Sequence, residues 1–312
     1  MNLKKIVKML DIIKSKFNIE NDVEITIEVN PGTVTKEKLE EYKKSGINRL
    51  SIGLQSTNNE VLKLIGRIHT YEEFENTYNL AKEVGFTNIN VDLMLALPNQ
   101  SMDILMESVS KVISLNPNHI SLYSLILEEG TELEKMVEDG KCVLCDEELE
   151  RKMYHETKNL LEKNGYFHYE ISNFAHKGFE SKHNLACWNQ NEYLGFGLAA
   201  HSYYDKKRFS NIDDLELYIK NIENGQFNKN VVIHEIQDKP SMMREFMMIG
   251  LRKIDGVSIS DFERKFRINP LFYFRFEISK LTDDDLIEVD LDYIKLTKKG
   301  LDLANIVFEE FV

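Results

Sequence analysis

Residues 49–69 read RLSIGLQSTNNEVLKLIGRIH. Leu50, Ile52 and Leu54 make a short apolar run that ends on Gln55 and Ser56. A helix is predicted from about Asn58, with Val61, Leu62 and Ile65 on its apolar side; Gly66 breaks it, and Arg67 and His69 follow at once. A buried strand therefore delivers an amide at its C-terminal end, and one helix later the chain brings in a guanidinium. In parallel α/β folds ligands sit where strands end, so function is sought here first.

Working outward, the same alternation continues on both sides. Residues 24–29 (EITIEV) alternate and are β-branched, which predicts a strand stopped by Pro31-Gly32. Thr35 is placed to cap a helix over 36–44, and Ser45-Gly46 ends it. Downstream, 71–84 reads as a helix closed by Gly85, and 88–95 as a strand broken by Leu97-Pro98. Then 102–115 reads as a helix stopped by Asn116-Pro117, and 119–126 as a strand. This pattern predicts parallel β/α units with strands covered on both faces. Leu3, Ile6, Val7, Leu10 and Ile13 recur at helical spacing with Lys8, Asp11 and Lys14 between them. That predicts an amphipathic surface helix rather than a signal peptide. A parallel sheet that opens on a helix also suggests further strands upstream.

The second half is less regular. A short helix is predicted over 131–138, a long one over 146–163 and a strand over 166–171. Residues 172–204 are rich in Asn, His, Gly and aromatics, with few periodic signals, and read as a ligand-lining loop region. A helix follows over 213–224. Helices over 240–251, 258–266 and 271–280, a hairpin over 286–296 and a closing helix over 297–308 suggest a winged-helix layout. The predicted division is an α/β domain over 1–230 and a small helical domain over 231–312. Asp283-Asp284-Asp285 beside the wing has the wrong sign for duplex binding, so a structural or protein-docking role is expected there.

Composition narrows the function classes. A chain of 312 residues can bury a large core. Its net charge of −13 argues against nucleic acid or an anionic membrane surface as the main partner. No apolar run approaches membrane-spanning length. Three cysteines, an odd number, with no secretory signal point to free thiols and a reducing cytoplasm.

Glu28, Gln55 and Asp92 fall at or near the ends of three successive strands. Asp92 sits between Val91 and Leu93, so its charge must be paired or bind something. Two readings stand: a structural pair with Arg67 or a helix cap, and a contact to a polar small molecule. Cys142-Val143-Leu144-Cys145 is a CxxC with no second half to complete a metal site, and it is not at a strand-to-helix turn. His183-Asn184 followed by Trp188 places an imidazole near a large aromatic, a pairing suited to haem iron and a porphyrin face. A lone histidine is more often structural. His168, His176, His183 and His201 cluster in one region, and spacing does not choose among them. The methionines between Met242 and Met248 read as core.

Several blocks in order now carry a resemblance: TIEVNPGT (26–33), RLSIGLQS (49–56), IGRIH (65–69), NINVDLMLALPNQ (88–100), HISLYSLILEEGT (119–131), HYEISNFA (168–175), HNLACW (183–188) and YLGFGLAAHSY (193–203). They resemble the HemW proteins, the haem-chaperone branch of the radical SAM family, related to the oxygen-independent coproporphyrinogen III oxidases. MMREFMMIGLR and LTKKGLDLANIV resemble that family's C-terminal end. The resemblance covers nearly the whole chain. It implies a partial TIM-like (β/α) barrel with a C-terminal helical domain.

It also implies S-adenosylmethionine lying across the strand ends on Glu28, Gln55, Arg67 and Asp92, with Ile126 beside the adenosine. HNLACW corresponds to the family's HNxxYW motif, which implies haem at His183, Asn184 and Trp188. Cys187 stands where that motif has tyrosine and puts a soft ligand beside the site; Ala199 replaces a usual glycine. The family holds a [4Fe–4S] cluster on a CxxxCxxC. No CxxxCxxC occurs in this sequence, and the glycine-rich block expected after the next strand is missing too. The expectation is a shortened or cluster-less chain that does not cleave S-adenosylmethionine reductively. The implied function is a haem chaperone delivering haem to respiratory or other haem proteins; the alternative is an anaerobic coproporphyrinogen oxidase.

Overall fold

The computed structural model describes residues 3–312, and packing divides them into a unit ending at Glu180 and a unit spanning Ser181–Val312. The sequence-based boundary at 230 lies inside the second unit.

The first unit contains α1 (Leu3–Lys16), β1 (Thr26–Val29), α2 (Lys36–Lys44), β2 (Arg49–Gln55), α3 (Asn59–Leu64), α4 (Tyr71–Val84), β3 (Asn88–Leu95), α5 (Met102–Leu115) and β4 (His119–Ser124). After these come α6 (Glu132–Glu138), α7 (Glu147–Lys163), β5 (Phe167–Glu170) and β6 (Asn173–Ala175). One sheet runs β1-β2-β3-β4-β6-β5. Its first four strands are parallel, and β6 runs antiparallel to both β4 and β5. The α/β fold built of β/α units is the one expected.

Local chemistry sets the element ends. The Thr35 side chain accepts from the Lys38 amide, and Asn58 accepts from the amides of Glu60 and Val61. Thr70 and Glu73 form a reciprocal capping box at the start of α4. Gly85 ends α4 at φ 92°, a left-handed conformation that glycine adopts without steric cost.

The sheet's two faces differ in chemistry. Val29, Leu50, Ile52, Leu54, Ile89, Val91, Leu93, Leu95, Ile120 and Leu122 share one face and belong to the buried core with residues of α2, α4, α5 and α7. The alternate positions are Glu28, Arg49, Ser51, Asn90, Asp92, His119 and Ser121, and none of them joins that core. The strands are covered on both faces, as expected: Arg49, Ser51, Asn90, His119 and Ser121 are buried too, and this second face is polar. The period of two along each strand sends every second residue to a polar face. Fully burying one Leu or Ile contributes about 1.5–3 kcal/mol, so the apolar face anchors the sheet and leaves the other free to carry chemistry.

The second unit contains α8 (Lys182–Trp188), β7 (His201–Tyr204), β8 (Lys207–Asn211), α9 (Leu215–Glu223) and β9 (Val231–Ile236). It continues with α10 (Lys239–Gly250), β10 (Val257–Ser258), α11 (Ile259–Phe266), α12 (Pro270–Tyr273) and α13 (Arg275–Asp283). It ends with β11 (Ile287–Val289), β12 (Tyr293–Leu296), α14 (Lys298–Asp302) and α15 (Ala304–Glu309). Strands β7-β8-β9 form one antiparallel sheet and β10-β12-β11 another. The predicted hairpin is present as β11–β12.

Phe246, Phe262, Phe266, Phe274 and Phe311 pack ring to ring with centroids 4.7–6.0 Å apart, mostly edge to face, and tie α10, α11 and the chain end together. Met243 and Met247 are buried, as expected of core methionines. The region 172–204 is not a loop: β6, α8 and β7 all lie in it. Each is too short for its period to show in sequence, and α8 starts on a Ser181 cap.

Ile52 is fully buried and Ile68 is 96% exposed. Ile52→Ala is expected to cost about 2–5 kcal/mol in urea unfolding, and Ile68→Ala less than about 0.5 kcal/mol. Equal effects would contradict the assignment of the packed face.

Candidate functional site

The polar face is held in register by the parallel ladder. Glu28 lies beside Ser51, Ser51 beside Asn90 and Asn90 beside His119. The next row is Gly53, Asp92 and Ser121. Asn90 Nδ2 donates to Asp92 Oδ1 at 2.7 Å and to Ser51 Oγ at 2.7 Å, and Ser51 Oγ donates to Asp92 Oδ2 at 3.4 Å. Asn90 Oδ1 accepts from Ser121 Oγ at 3.1 Å and from His119 Nδ1 at 2.6 Å. His119 Nε2 then accepts from the Tyr169 hydroxyl at 2.7 Å, which fixes a neutral Nδ1–H tautomer. Burial, with the Arg49 charge adding to it, holds the His119 pKa well below its ordinary value.

Asp92 is correspondingly special. Burial raises its carboxyl pKa, hydrogen bonds from Asn90 and Ser121 pull it back, and the Glu28 charge adds to the rise. Glu28 is exposed on the same face, and its charge repels that of Asp92. The structural pairing of Asp92 with Arg67 does not form: Arg67 Nη1 instead donates to Asn30 Oδ1 at 3.4 Å.

At the strand end, Gln55 takes a left-handed φ of 73°, and the β2–β3 register shifts between Gly53 and Gln55. Strain of this kind is typical of functional sites. A Cβ on Gly53 would stand 3.1 Å from Gln55 Nε2 and 3.6 Å from Asn30 Oδ1, so the bare glycine lets the amide fold back over the strand. Gln55, Asn30 and Arg67 therefore converge. Ile126 lies beyond β4 and is 80% exposed, while the Leu125 amide donates to Leu95 O at 3.2 Å and ties that loop to the end of β3. Asn30, Ser51, Asn90, His119, Ser121 and Tyr169 were not singled out from sequence. The signal was the two-residue spacing of polar side chains within strands otherwise rich in Leu, Ile and Val.

The other candidate residues lie on α8. His183 is exposed, and its Nε2 stands 3.9 Å from Cys187 Sγ, one helical turn on. Burial pushes the Cys187 thiol up, against the opposing charge of Arg208. Asn184 and Trp188 are half-buried on the adjoining stripe of the helix. The Arg252 guanidinium stands over the Trp188 ring, 4.6 Å from its centroid, and 5.8 Å from that of Phe308.

Two of the four clustered histidines are committed to packing. His168 is buried, stacks on Phe174 at 4.5 Å and is pulled down to about 4 by burial. His176 Nδ1 donates to Gly165 O at 3.0 Å, and its ring stacks on Tyr166 at 4.3 Å. His183 and His201 are exposed, and His201 stacks on His234 at 5.6 Å.

All three cysteines are free thiols, and Cys142 of the CxxC is buried. Among the described residues no group of three or more His, Cys, Asp or Glu side chains could hold a metal ion. The residues present do not fit a [4Fe–4S] cluster, which needs three thiolates converging on one iron–sulfur cube.

Residues 1–112 match the model of the radical SAM superfamily, and residues 237–303 that of the HemN C-terminal domain. "Heme chaperone HemW" of Lactococcus lactis subsp. lactis (strain IL1403) is 36% identical over all of this chain and 81% of its own length. This chain belongs to the HemW family. "Heme chaperone HemW" of Bacillus subtilis (strain 168) is likewise 36% identical, over 98% of this chain and 80% of its own. The structure of HemN from Escherichia coli, described as a coproporphyrinogen III oxidase and radical SAM enzyme, superposes with a TM-score of 0.85. It is 24% identical, covers all of this chain and 74% of its own, and shows that the HemW-family chain has the radical SAM α/β fold. The matched superfamily segment carries Glu28, Gln55, Arg67 and Asp92.

The Asp92 environment makes stability depend on pH with a definite sign. The folded carboxyl pKa lies above 3.8, so the folded chain keeps a proton that the unfolded chain has released. Stability from this group is lost as pH rises from about 3.8 through the folded pKa. Asp92→Asn is expected to gain on the wild type over that window and then level off. Parallel denaturant titrations from acid to neutral pH check this; a flat difference or the opposite slope would contradict it.

Proposed function

We propose that this HemW-family chain is a haem chaperone that takes haem on His183, binds S-adenosylmethionine across the strand ends, and hands haem to haem proteins in the cytoplasm. The observation that carries the haem reading is the exposed His183 imidazole in a stretch that corresponds to HNxxYW, whereas the rings of His168 and His176 are held by packing. Asn184 and Trp188 flank that imidazole on the next stripe of α8, an amide suited to a haem propionate and an aromatic ring suited to a porphyrin edge. The names of the curated relatives support the chaperone reading over a coproporphyrinogen oxidase, since the likeness to HemN at 24% identity speaks for fold alone.

The polar strand ends suit S-adenosylmethionine. Asp92 and Glu28 are carboxylates fit for ribose hydroxyls or the methionyl ammonium. Arg67 is a fork for its carboxylate, Gln55 adds an amide, and Ile126 adds apolar surface for the adenine. Bound there, the cofactor would supply a sulfonium. Asn90 would keep Asp92 oriented, and the neutral His119 would keep Asn90 turned toward it. Among the described residues no helix is long and apolar enough to cross a membrane, which suits a carrier that works in water.

A haem titration followed in the Soret band tests the first part. Saturable binding is expected, weakened about tenfold or more in His183→Ala, which corresponds to about 1.4 kcal/mol. Binding indifferent to that change would contradict the assignment. Separately, this chain after anaerobic iron–sulfur reconstitution and reduction is expected to release no 5′-deoxyadenosine from S-adenosylmethionine; its release above the level of a protein-free control would overturn the reading of the cysteines.

A further inference from the structure

We propose that Arg252 and Lys253, at the C-terminal end of α8, bind the propionate carboxylates of the porphyrin. This rests on the haem reading and adds to its site two residues that lie outside the HNxxYW-like stretch. Two donors without acceptors carry it. Arg252 Nε and Trp188 Nε1 are both buried, and neither has a hydrogen-bond partner. Buried polar groups in folded chains nearly always have one, so an orphaned pair needs a reason. The Arg252 guanidinium stands over the Trp188 ring, 4.6 Å from its centroid, and 5.8 Å from that of Phe308. Two rings rather than a carboxylate hold this cation. Stacking uses the flat face of a guanidinium and leaves its N–H edge for a planar anion, and Nε–H lies on that edge.

The sequence places the second cation beside the first. A Cβ on Gly250 would stand 2.7 Å from Val257 Cγ2 and 3.8 Å from the Trp188 carbonyl oxygen, so the bare glycine lets the end of α10 close on the end of α8. Arg252 and Lys253 follow directly after Leu251. Lys253 is half-buried, and its Nζ donates to Asn189 Oδ1 at 2.6 Å. That acceptor is a neutral amide, so two further N–H groups of the ammonium remain for an anion. Burial lowers the Lys253 pKa, while the charges of Asp261 and Asp255 raise it; Asp261 itself accepts from Arg264 Nη2 at 2.6 Å. A guanidinium, an ammonium and an indole N–H at one helix end make a donor set that fits carboxylates. Haem carries two of them on one edge of its macrocycle, one for each cation. Trp188 lies five residues beyond His183, about 7.5 Å along the axis of α8, so one porphyrin can reach from the imidazole to the helix end.

The test removes the iron and changes the ligand before the protein. Protoporphyrin IX, which has both propionates and no metal, is compared with its dimethyl ester on the full chain in one mild detergent buffer. Trp188 is the only tryptophan, so quenching of its emission reads binding. Saturable quenching by the acid is expected, with the ester weaker by about tenfold or more. Arg252→Gln and Lys253→Gln should each weaken the acid and leave the ester unchanged. Arg275→Gln, which removes another ring-stacked cation, 4.4 Å from the Phe276 centroid, should change neither. No quenching, equal binding of acid and ester, or variants that weaken both alike would overturn the proposal; circular dichroism of each variant separates a lost ligand contact from a lost fold. Acid preference beside a haem titration indifferent to His183→Ala would sink the iron ligand and keep this site. Haem binding that needs His183 without acid preference would do the reverse.

Discussion

A carboxyl group buried in the wall of a sheet must be hydrogen-bonded or stay neutral, and Asp92 obliges its surroundings to do both jobs. Its partners come from its own strand and both neighbours: Asn90 on β3, Ser51 on β2 and Ser121 on β4. Asn90 in turn is pinned by His119, and His119 by Tyr169. The network fixes the relative register of three parallel strands on their polar face, as the Leu, Ile and Val side chains do on the other. A buried network of this kind stabilises one arrangement only when every member is satisfied, and the described groups around Asp92 meet that condition closely.

The same division of labour explains where chemistry is available. The apolar face packs against helices, so polar side chains concentrate on the other face and at the strand ends. Gln55 holds a strained backbone there, Gly53 leaves room for its amide, and Arg67 reaches in from beyond α3. In the second unit, a phenylalanine cluster and the Arg252–Trp188 contact hold the helical framework. His183 stays exposed on α8, one turn from the half-buried Cys187.

Much of this was legible in the sequence. The helices Tyr71–Val84 and Met102–Leu115 and the strand Asn88–Leu95 have the predicted limits, because caps, glycine and proline mark them sharply. The polar row was harder to see. Ser51, Asn90 and Ser121 are small and common in surface positions, and only the partner strands reveal that they share a face. The region 172–204 reads as a loop because β6, α8 and β7 are only three, seven and four residues long. Identity of the fold came instead from ordered motif blocks, which carry information that periodicity lacks.

The central claim is that the polar face of the sheet, beneath the ends of β1 to β3, is the S-adenosylmethionine site. Calorimetric titration of S-adenosylmethionine into the full chain, beside Asp92→Ala, Arg67→Ala and His183→Ala, tests it most directly. The account predicts one saturable site, weakened by the first two substitutions and untouched by the third. No binding, or equal affinity in all four proteins, would contradict it.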